Sequence, residues 1–391
     1  MLHSAKKICL GVVATALVVG MAVAPQSAFE GARLGLGIWW DTVVPALLPF
    51  FIAAEIVMGL GVVHLMGMLL EPLMRPVFAL PGAASFALAV GYTSGYPVGA
   101  AVAARLRQEG LLTRDEAERV VSFCNNASPL FMLVAVSVGM FGNAAFGPFI
   151  LAIHYVSNLF IGFVLGRLAP RRATQRARLH VAPVTIPPLG RMLGDAVSAA
   201  TKKILQVGGF IILFAVVIAL ARRFGLLDIP IRCLENILTA SGLTPELAPP
   251  LVSGFFEMTL GTRLAAEATA PLVHKLVAVE AVLAWSGLSI HAQIAAFVAE
   301  TDIRLRTYYL SRVGHVVLAT WLTLLLFPCF EPYIAAAVAT AEPVQVTANW
   351  WNTLLTATLW ACVAPALLLL GGGTCYLGRR LLHLLLHIFE F

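Results

Sequence analysis

The chain has 391 residues, 60% of them hydrophobic and only 12% charged, with a mean hydropathy of +0.89. Those values exclude a soluble domain and point to a polytopic membrane protein. A net charge of +6 does not imply nucleic acid, because most basic residues fall in short loops between apolar runs, where they orient helices. Six scattered cysteines without CxxC spacing indicate neither a disulfide framework nor a zinc site, and no metal or cofactor is expected.

Residues 8–24 read as a first crossing, with Lys6 and Lys7 holding its start in the cytoplasm. The same stretch, followed by Gln26-Ser27-Ala28, also fits a cleavable signal peptide, and a retained helix is the reading adopted. Residues 30–41, with Trp39-Trp40, are expected to form an interfacial helix, and 42–63 a crossing kinked at Pro45 and Pro49. An amphipathic stretch, 65–80, ends at Pro81-Gly82.

Next comes an apolar segment, 83–105, interrupted by Gly91-Tyr92-Thr93-Ser94-Gly95-Tyr96-Pro97-Val98-Gly99. Three glycines and a proline disfavour a continuous helix, and each apolar flank is far shorter than the ~20 residues a bilayer needs. Two half-length helices joined by a polar tip are expected, a re-entrant hairpin whose irregular backbone survives at membrane depth only inside protein or beside water.

Arg105, Arg107, Arg114 and Arg119 mark a cytoplasmic loop, and Thr113-Arg114-Asp115-Glu116 is a capping box for the following helix. That crossing, 117–141, contains Asn125-Asn126-Ala127-Ser128-Pro129, where the proline should break it. The crossing 144–168 returns to a linker rich in arginine, 169–188. A surface helix, 189–201, then leads into the crossing 204–220, whose far end, Arg222-Arg223, departs from the positive-inside pattern.

An amphipathic stretch, 226–243, precedes a second interrupted segment, 247–268, centred on 254–263. The crossing 275–298 carries Trp285-Ser286-Gly287-Leu288-Ser289 in its middle and ends at a cytoplasmic cluster of Arg304, Arg306 and Arg312. Residues 313–330 lead out to a loop, 331–349, without Lys or Arg, and 351–377 return to Arg379-Arg380. The total is eight crossings and two hairpins.

The landmarks repeat. Gly61 to Gly91 spans 30 residues and Gly225 to Gly254 spans 29; Gly91 to Phe123 spans 32 and Gly254 to Trp285 spans 31. Each feature therefore recurs about 163 residues later. Three crossings separate the hairpins, an odd number, so the second repeat is inverted, as in carriers that expose one central site to either side in turn.

In such a repeat the tips and broken helices converge near the midplane, where half-helix N-termini favour a carboxylate or phosphate. Candidate substrate contacts are Thr93, Ser94, Gly95, Asn125, Asn126 and Ser128 from the first half. Glu257, Thr259, Thr262, Arg263, Ser286, Ser289 and Gln293 are those of the second. Buried Asn and Ser side chains also serve merely to join membrane helices, at about 0.6 kcal/mol each. Glu257 and Arg263 either neutralise each other or meet a cation and an anionic substrate, respectively. Tyr92, Tyr96, Phe255 and Phe256 either stack on a planar ring or pack at the breaks, and His154 and His291 read as isolated packed groups. Ser94 lacks nucleophile-elbow spacing, so no catalytic residue is assigned.

Several runs carry a resemblance: Leu48-Pro49-Phe50-Phe51, Leu70-Glu71-Pro72-Leu73-Met74-Arg75-Pro76, Gly95-Tyr96-Pro97-Val98-Gly99, Ala104-Arg105-Leu106-Arg107-Gln108-Glu109-Gly110, Ser128-Pro129-Leu130-Phe131 and Gly287-Leu288-Ser289-Ile290-His291-Ala292-Gln293. They resemble the YlbJ (stage V sporulation) family of sporulation integral membrane proteins, within the nucleoside-recognition or Gate-domain superfamily. The resemblance implies a multi-pass protein of the mother-cell-derived outer forespore membrane, with cytoplasmic termini, that moves dipicolinate. It also implies a distant likeness to concentrative nucleoside transporters, although the first tip has no carboxylate.

The expected fold class is an all-α polytopic membrane protein with an inverted structural repeat, two re-entrant helical hairpins and broken transmembrane helices. Residues 1–42 hold the first helix and the interfacial helix, and 43–168 the first Gate-like repeat. A basic cytoplasmic linker, 169–188, leads to the inverted repeat, 189–330, and a terminal loop, helix and basic tail, 331–391. The partners expected are the lipid bilayer and a small aromatic anion, with a homo-oligomer compatible and nucleic acid not. Two rival readings stay open: a nucleoside or other organic-solute carrier, and a membrane scaffold for a sporulation partner.

Overall fold

The structure, a computed structural model, describes residues 2–60, 62–169 and 188–340. Among the described residues all regular structure is helical. Helix α1 (Leu2–Val23) is followed by α2 (Pro25–Gly37), which passes through a π-helical turn, Ile38–Val43, into α3 (Val44–Gly59). Pro25 opens α2 at a position that needs no N–H, and the π turn falls just before Pro45, where a missing donor would otherwise leave a gap in the ladder.

After α4 (Val62–Phe78) come the hairpin helices α5 (Ala84–Ser94) and α6 (Val98–Gln108). At 11 residues each they are about 16 Å long, half the apolar thickness of a bilayer. Helix α7 (Arg114–Phe123) starts on the expected capping box, with Thr113 and Glu116 bonding reciprocally, and stops at Phe123. The chain resumes as a π-helical segment, Phe131–Met140, and then as α8 (Gly147–Leu168).

The second half repeats this order. Helix α9 (Leu189–Arg223) stands where α2 and α3 stand in the first, and α10 (Asp228–Ala240) matches α4. Helices α11 (Ala248–Phe256) and α12 (Met258–Glu267) form the second hairpin. Helices α13 (Leu272–Trp285) and α14 (Gly287–Val298) are the two parts of the second broken helix, and α15 (Arg306–Thr340) matches α8. Three passes lie between the hairpins: α7 to Met140, α8 and α9. The second repeat is therefore inverted relative to the first.

The contacts between halves are reciprocal. Helix α2 lies along α9 and α8 along α15, while α6 packs on α14 and α12 on Phe131–Met140. Each hairpin thus leans its second arm on the other repeat's broken helix. Close approach of α2 to α9 depends on Gly31 and Gly35, where a β-carbon would stand 2.7 Å from Ala219 Cβ and 2.9 Å from Ala215 Cβ.

Five helical runs among the described residues are long and apolar enough to cross a membrane: Pro25–Ala53, Ala144–Leu168, Leu189–Arg223, Leu272–Val298 and Arg306–Ile334. Three boundaries differ from the sequence reading. Residues 25–53 form one apolar run rather than an interfacial helix followed by a crossing, and Trp39 Nε1 donates to the Ile204 carbonyl at 2.9 Å. The surface helix at 189–201 and the crossing at 204–220 are a single 35-residue helix, since Lys202 and Lys203 are good helix formers and no Gly or Pro intervenes. Residues 331–340 continue α15 and are not loop. The rest of that loop, the crossing at 351–377, Arg379-Arg380 and nearly all of the basic linker lie outside the described residues.

Candidate functional site

Both hairpins close over paired glycines. In α5–α6 the turn is Gly95-Tyr96-Pro97, with Gly95 at φ 75° and a cis Tyr96–Pro97 bond. Gly91 and Gly99 flank the Cys124 carbonyl so tightly that a methyl on either would overlap its oxygen. In α11–α12, Gly254 and Gly261 meet backbone to backbone, and the turn is Glu257 alone. Its carboxylate accepts the Leu260 N–H at 2.6 Å and so caps α12. Glu257 and Arg263 therefore do not neutralise each other; Arg263 pairs with Glu267 and reaches Thr42.

The first break, between Phe123 and Phe131, is held from outside by α8 and α15. Arg312, fully buried, donates to the Ser122 carbonyl at 2.6 Å, the Asn125 carbonyl at 3.3 Å and Asn158 Oδ1 at 2.8 Å. It places a guanidinium at the C-terminal, negative end of α7. Asn158 Nδ2 donates to the Phe123 carbonyl at 2.6 Å, and the Ala127 N–H donates to His154 Nε2 at 3.3 Å. The second break is a single residue, Ser286, at φ 78°. Ser286 Oγ donates to the Tyr96 hydroxyl at 2.7 Å, which donates to the Leu283 carbonyl at 3.1 Å. The tip of the first hairpin is thereby fastened to the break of the second repeat.

Beside that tip lies a cavity of about 50 Å³. Thr93, Ser94, Tyr96 and Pro97 form its hairpin side, with Ser128 and Leu130 from the first break. Phe51 of α3, Lys203 and Gln206 of α9 and Gln293 of α14 close the opposite side. Lys203 pairs with Glu55 at the rim.

Of the sequence candidates, Thr93, Ser94, Ser128 and Gln293 line this cavity, and Gly95 packs on Ser128 behind it. Thr93 Oγ1 also donates to the Ala89 carbonyl at 2.8 Å, and Gln293 Nε2 to the Ser289 carbonyl at 3.3 Å. Asn125 and Asn126 are fully buried in the first break, away from the cavity lining. Ser286 and Ser289 are buried at the second, Thr259 and Thr262 in α12, and Glu257 and Arg263 are occupied as described. Tyr92 accepts from Asn158 Nδ2 at 3.0 Å, and Phe255 stacks on Trp285 with centroids 5.4 Å apart.

The nucleoside-recognition (Gate) family model matches residues 40–144 and 204–304. The sporulation integral membrane protein YlbJ of Bacillus subtilis is 39% identical over 355 residues, covering 85% of this chain and 87% of its own. The chain belongs to the YlbJ family. An uncharacterized protein of Alkalihalophilus pseudofirmus is 28% identical over 168 residues, covering 42% of this chain and 32% of its own. Among solved structures, CNTnw in an inward-facing substrate-bound state aligns over 83% of this chain and 86% of that one, at 17% identity and a TM-score of 0.48.

In this YlbJ-family integral membrane protein, three ionisable residues that the structure singles out were not among the sequence candidates. Lys203 reads in sequence as a helix flank, and Arg312 as part of a cytoplasmic cluster; in the structure the first faces the cavity and the second is fully buried against the first break. Glu280, also fully buried, lies inside an otherwise apolar run. An ionisable residue inside a membrane helix is itself a functional signal, and Glu280 could have been found by it.

Proposed function

We propose that the chain is a secondary transporter that carries dipicolinate, or a similar small aromatic carboxylate, across the outer forespore membrane by alternating access, with its termini in the cytoplasm. The observation that carries the reading is the cavity at the first hairpin tip, where the hydroxyls of Thr93, Ser94 and Ser128 face the ammonium of Lys203 and the amides of Gln206 and Gln293. An incoming carboxylate competes with Glu55 for that ammonium, which favours an anion over a neutral solute. At about 50 Å³ the cavity has room for a few waters but not for a pyridine ring, so loading requires the first hairpin to withdraw from α9. Membership of a family of sporulation membrane proteins and the inverted pair of hairpins support the same reading.

The description of the matched family, nucleoside recognition, favours one rival, a nucleoside carrier. Counterflow of labelled dipicolinate into liposomes holding the purified full chain separates the two. Dipicolinate exchange that uridine does not inhibit is the expected result; uridine exchange without dipicolinate exchange would reverse the assignment.

A further inference from the structure

Glu280 lies on α13 in the centre of the bundle, fully buried, and neither of its carboxyl oxygens has a hydrogen-bond partner among the described residues. Its neighbour across the repeat boundary is His154 of α8, equally buried, with Nδ1 3.6 Å from Glu280 Oε2. The other ring nitrogen of His154 accepts the Ala127 N–H. A neutral ring bonded in that way carries its proton on Nδ1, the side facing Glu280.

The surrounding ionisable groups complete the picture. On α15, His315 lies with its ring 4.6 Å from that of His154 and its Nδ1 3.3 Å from Arg312. Tyr96 of the first tip donates to the Leu283 carbonyl and accepts from Ser286, and Tyr155 of α8 is bonded to the Tyr92 carbonyl at 2.7 Å. Glu257 of the second tip is committed to the Leu260 N–H. Arg312 is held by carbonyls and Asn158, so no group in this set forms a charged hydrogen bond with Glu280 in this arrangement.

A buried carboxylate without a donor carries its charge at heavy cost, and a bound proton removes that charge. A small slide of α8 against α13 would shorten the gap from 3.6 Å to about 2.8 Å, giving a charged hydrogen bond that stabilises the carboxylate instead. Helix α8 ends the first repeat and α13 belongs to the second, so the pair spans the boundary that moves in alternating access. The same imidazole also holds Ala127, whose neighbour Ser128 lines the cavity.

We propose that Glu280 and His154 form a proton site that couples substrate passage to proton movement. A proton from water binds the Glu280 carboxylate when α8 and α13 stand apart, and it returns to water when they close up. The coupling half of this inference rests on the transport reading; the proton site does not.

Two measurements on the full chain test it. In infrared difference spectra of the protein in lipid, a carboxylic-acid carbonyl band that titrates with pH is expected, and it is lost in Glu280→Gln. Absence of the band from the native chain, or its persistence in Glu280→Gln, overturns the proton site whether or not anything is transported. In liposomes with the membrane potential clamped, the native chain is expected to show dipicolinate counterflow and net uptake driven by a pH gradient. Glu280→Gln should keep counterflow and lose the gradient-driven uptake, and retained counterflow shows that the variant is folded. Gradient-driven uptake surviving in Glu280→Gln, or native uptake that ignores the pH gradient and follows a sodium gradient, overturns the coupling. The infrared band without native counterflow supports the proton site and removes dipicolinate as the substrate.

Discussion

Hairpin α5–α6 turns on Gly95, Tyr96 and Pro97 and opens onto the cavity, whereas α11–α12 turns on Glu257 alone and closes on its own helix end. The scaffolding beneath them is shared: a glycine on each arm, contact with a break, and a second arm laid on the other repeat. The breaks differ in the same way. The first is long and is held by Arg312, His154 and Asn158 from neighbouring helices, while the second is one residue fastened by Tyr96. Duplication has preserved the backbone constraint and left the polar side chains free to diverge. One hairpin tip lines the polar cavity; the other caps its own second arm through Glu257.

The shared part should be the hardest to alter. Gly91→Ala and Gly261→Ala each drive a methyl into backbone and are expected to cost about 3 kcal/mol or more, seen as loss of monodisperse protein in detergent. Gly254→Ala meets the Val282 side chain, which can shift, and should be milder. Equal tolerance at Gly91 and Gly254 would break the comparison of the two frames.

The breaks come next. Arg312→Leu leaves the Ser122 and Asn125 carbonyls without their donor and should lower thermal stability by about 3 kcal/mol. Tyr96→Phe removes only the link to Ser286 and Leu283, at about 1 kcal/mol.

The tips should separate by function. Lys203→Gln, made with Glu55→Gln so that no orphan carboxylate remains, is expected to weaken dipicolinate binding about tenfold, or about 1.4 kcal/mol. Glu257→Gln should cost about 1 kcal/mol of stability through the α12 cap while leaving binding unchanged. Isothermal titration and thermal melts together read both. Loss of binding in the Glu257 variant alone would reassign the site to the second hairpin.

The smallest effect lies at the surface, where Arg107 bonds both carboxylate oxygens of Asp302 at 2.8 and 2.9 Å and joins the end of α6 to the loop after α14. The hydrogen bond from Arg107 holds the Asp302 carboxyl below its usual range. Its stabilisation is therefore present above the unfolded value of about 3.9 and is lost as pH falls through the lower folded value. Asp302→Asn should lower the melting temperature slightly at neutral pH, where the pair is intact, and remove that part of the acid dependence of melting.

The helices, their breaks and the duplication were legible because they rest on local chemistry. Pro129 cannot supply an N–H, the Gly91 to Gly99 run disfavours a helix, Thr113 and Glu116 make a cap, and the spacing of these features recurs. Less was legible at 189–223, where two pieces were expected and one helix stands, because a lysine pair marks a membrane edge as readily as it sustains a helix. What Lys203 and Arg312 do was not legible from local pattern, and Glu280 stood out only as an ionisable residue in an apolar run, without its partner. Their neighbours lie on helices far along the chain: Arg312 meets Ser122, 190 residues away, and Glu280 faces His154.

The amino-acid sequence by itself determined an all-helical membrane chain built twice, with a hairpin and a broken helix in each copy, because hydropathy, proline and glycine act over a few residues. Only the tertiary structure decided which hairpin tip lines the polar cavity and which charges are buried together. That choice depends on the inverted packing of one copy against the other, and such packing leaves no trace in the spacing of residues along either.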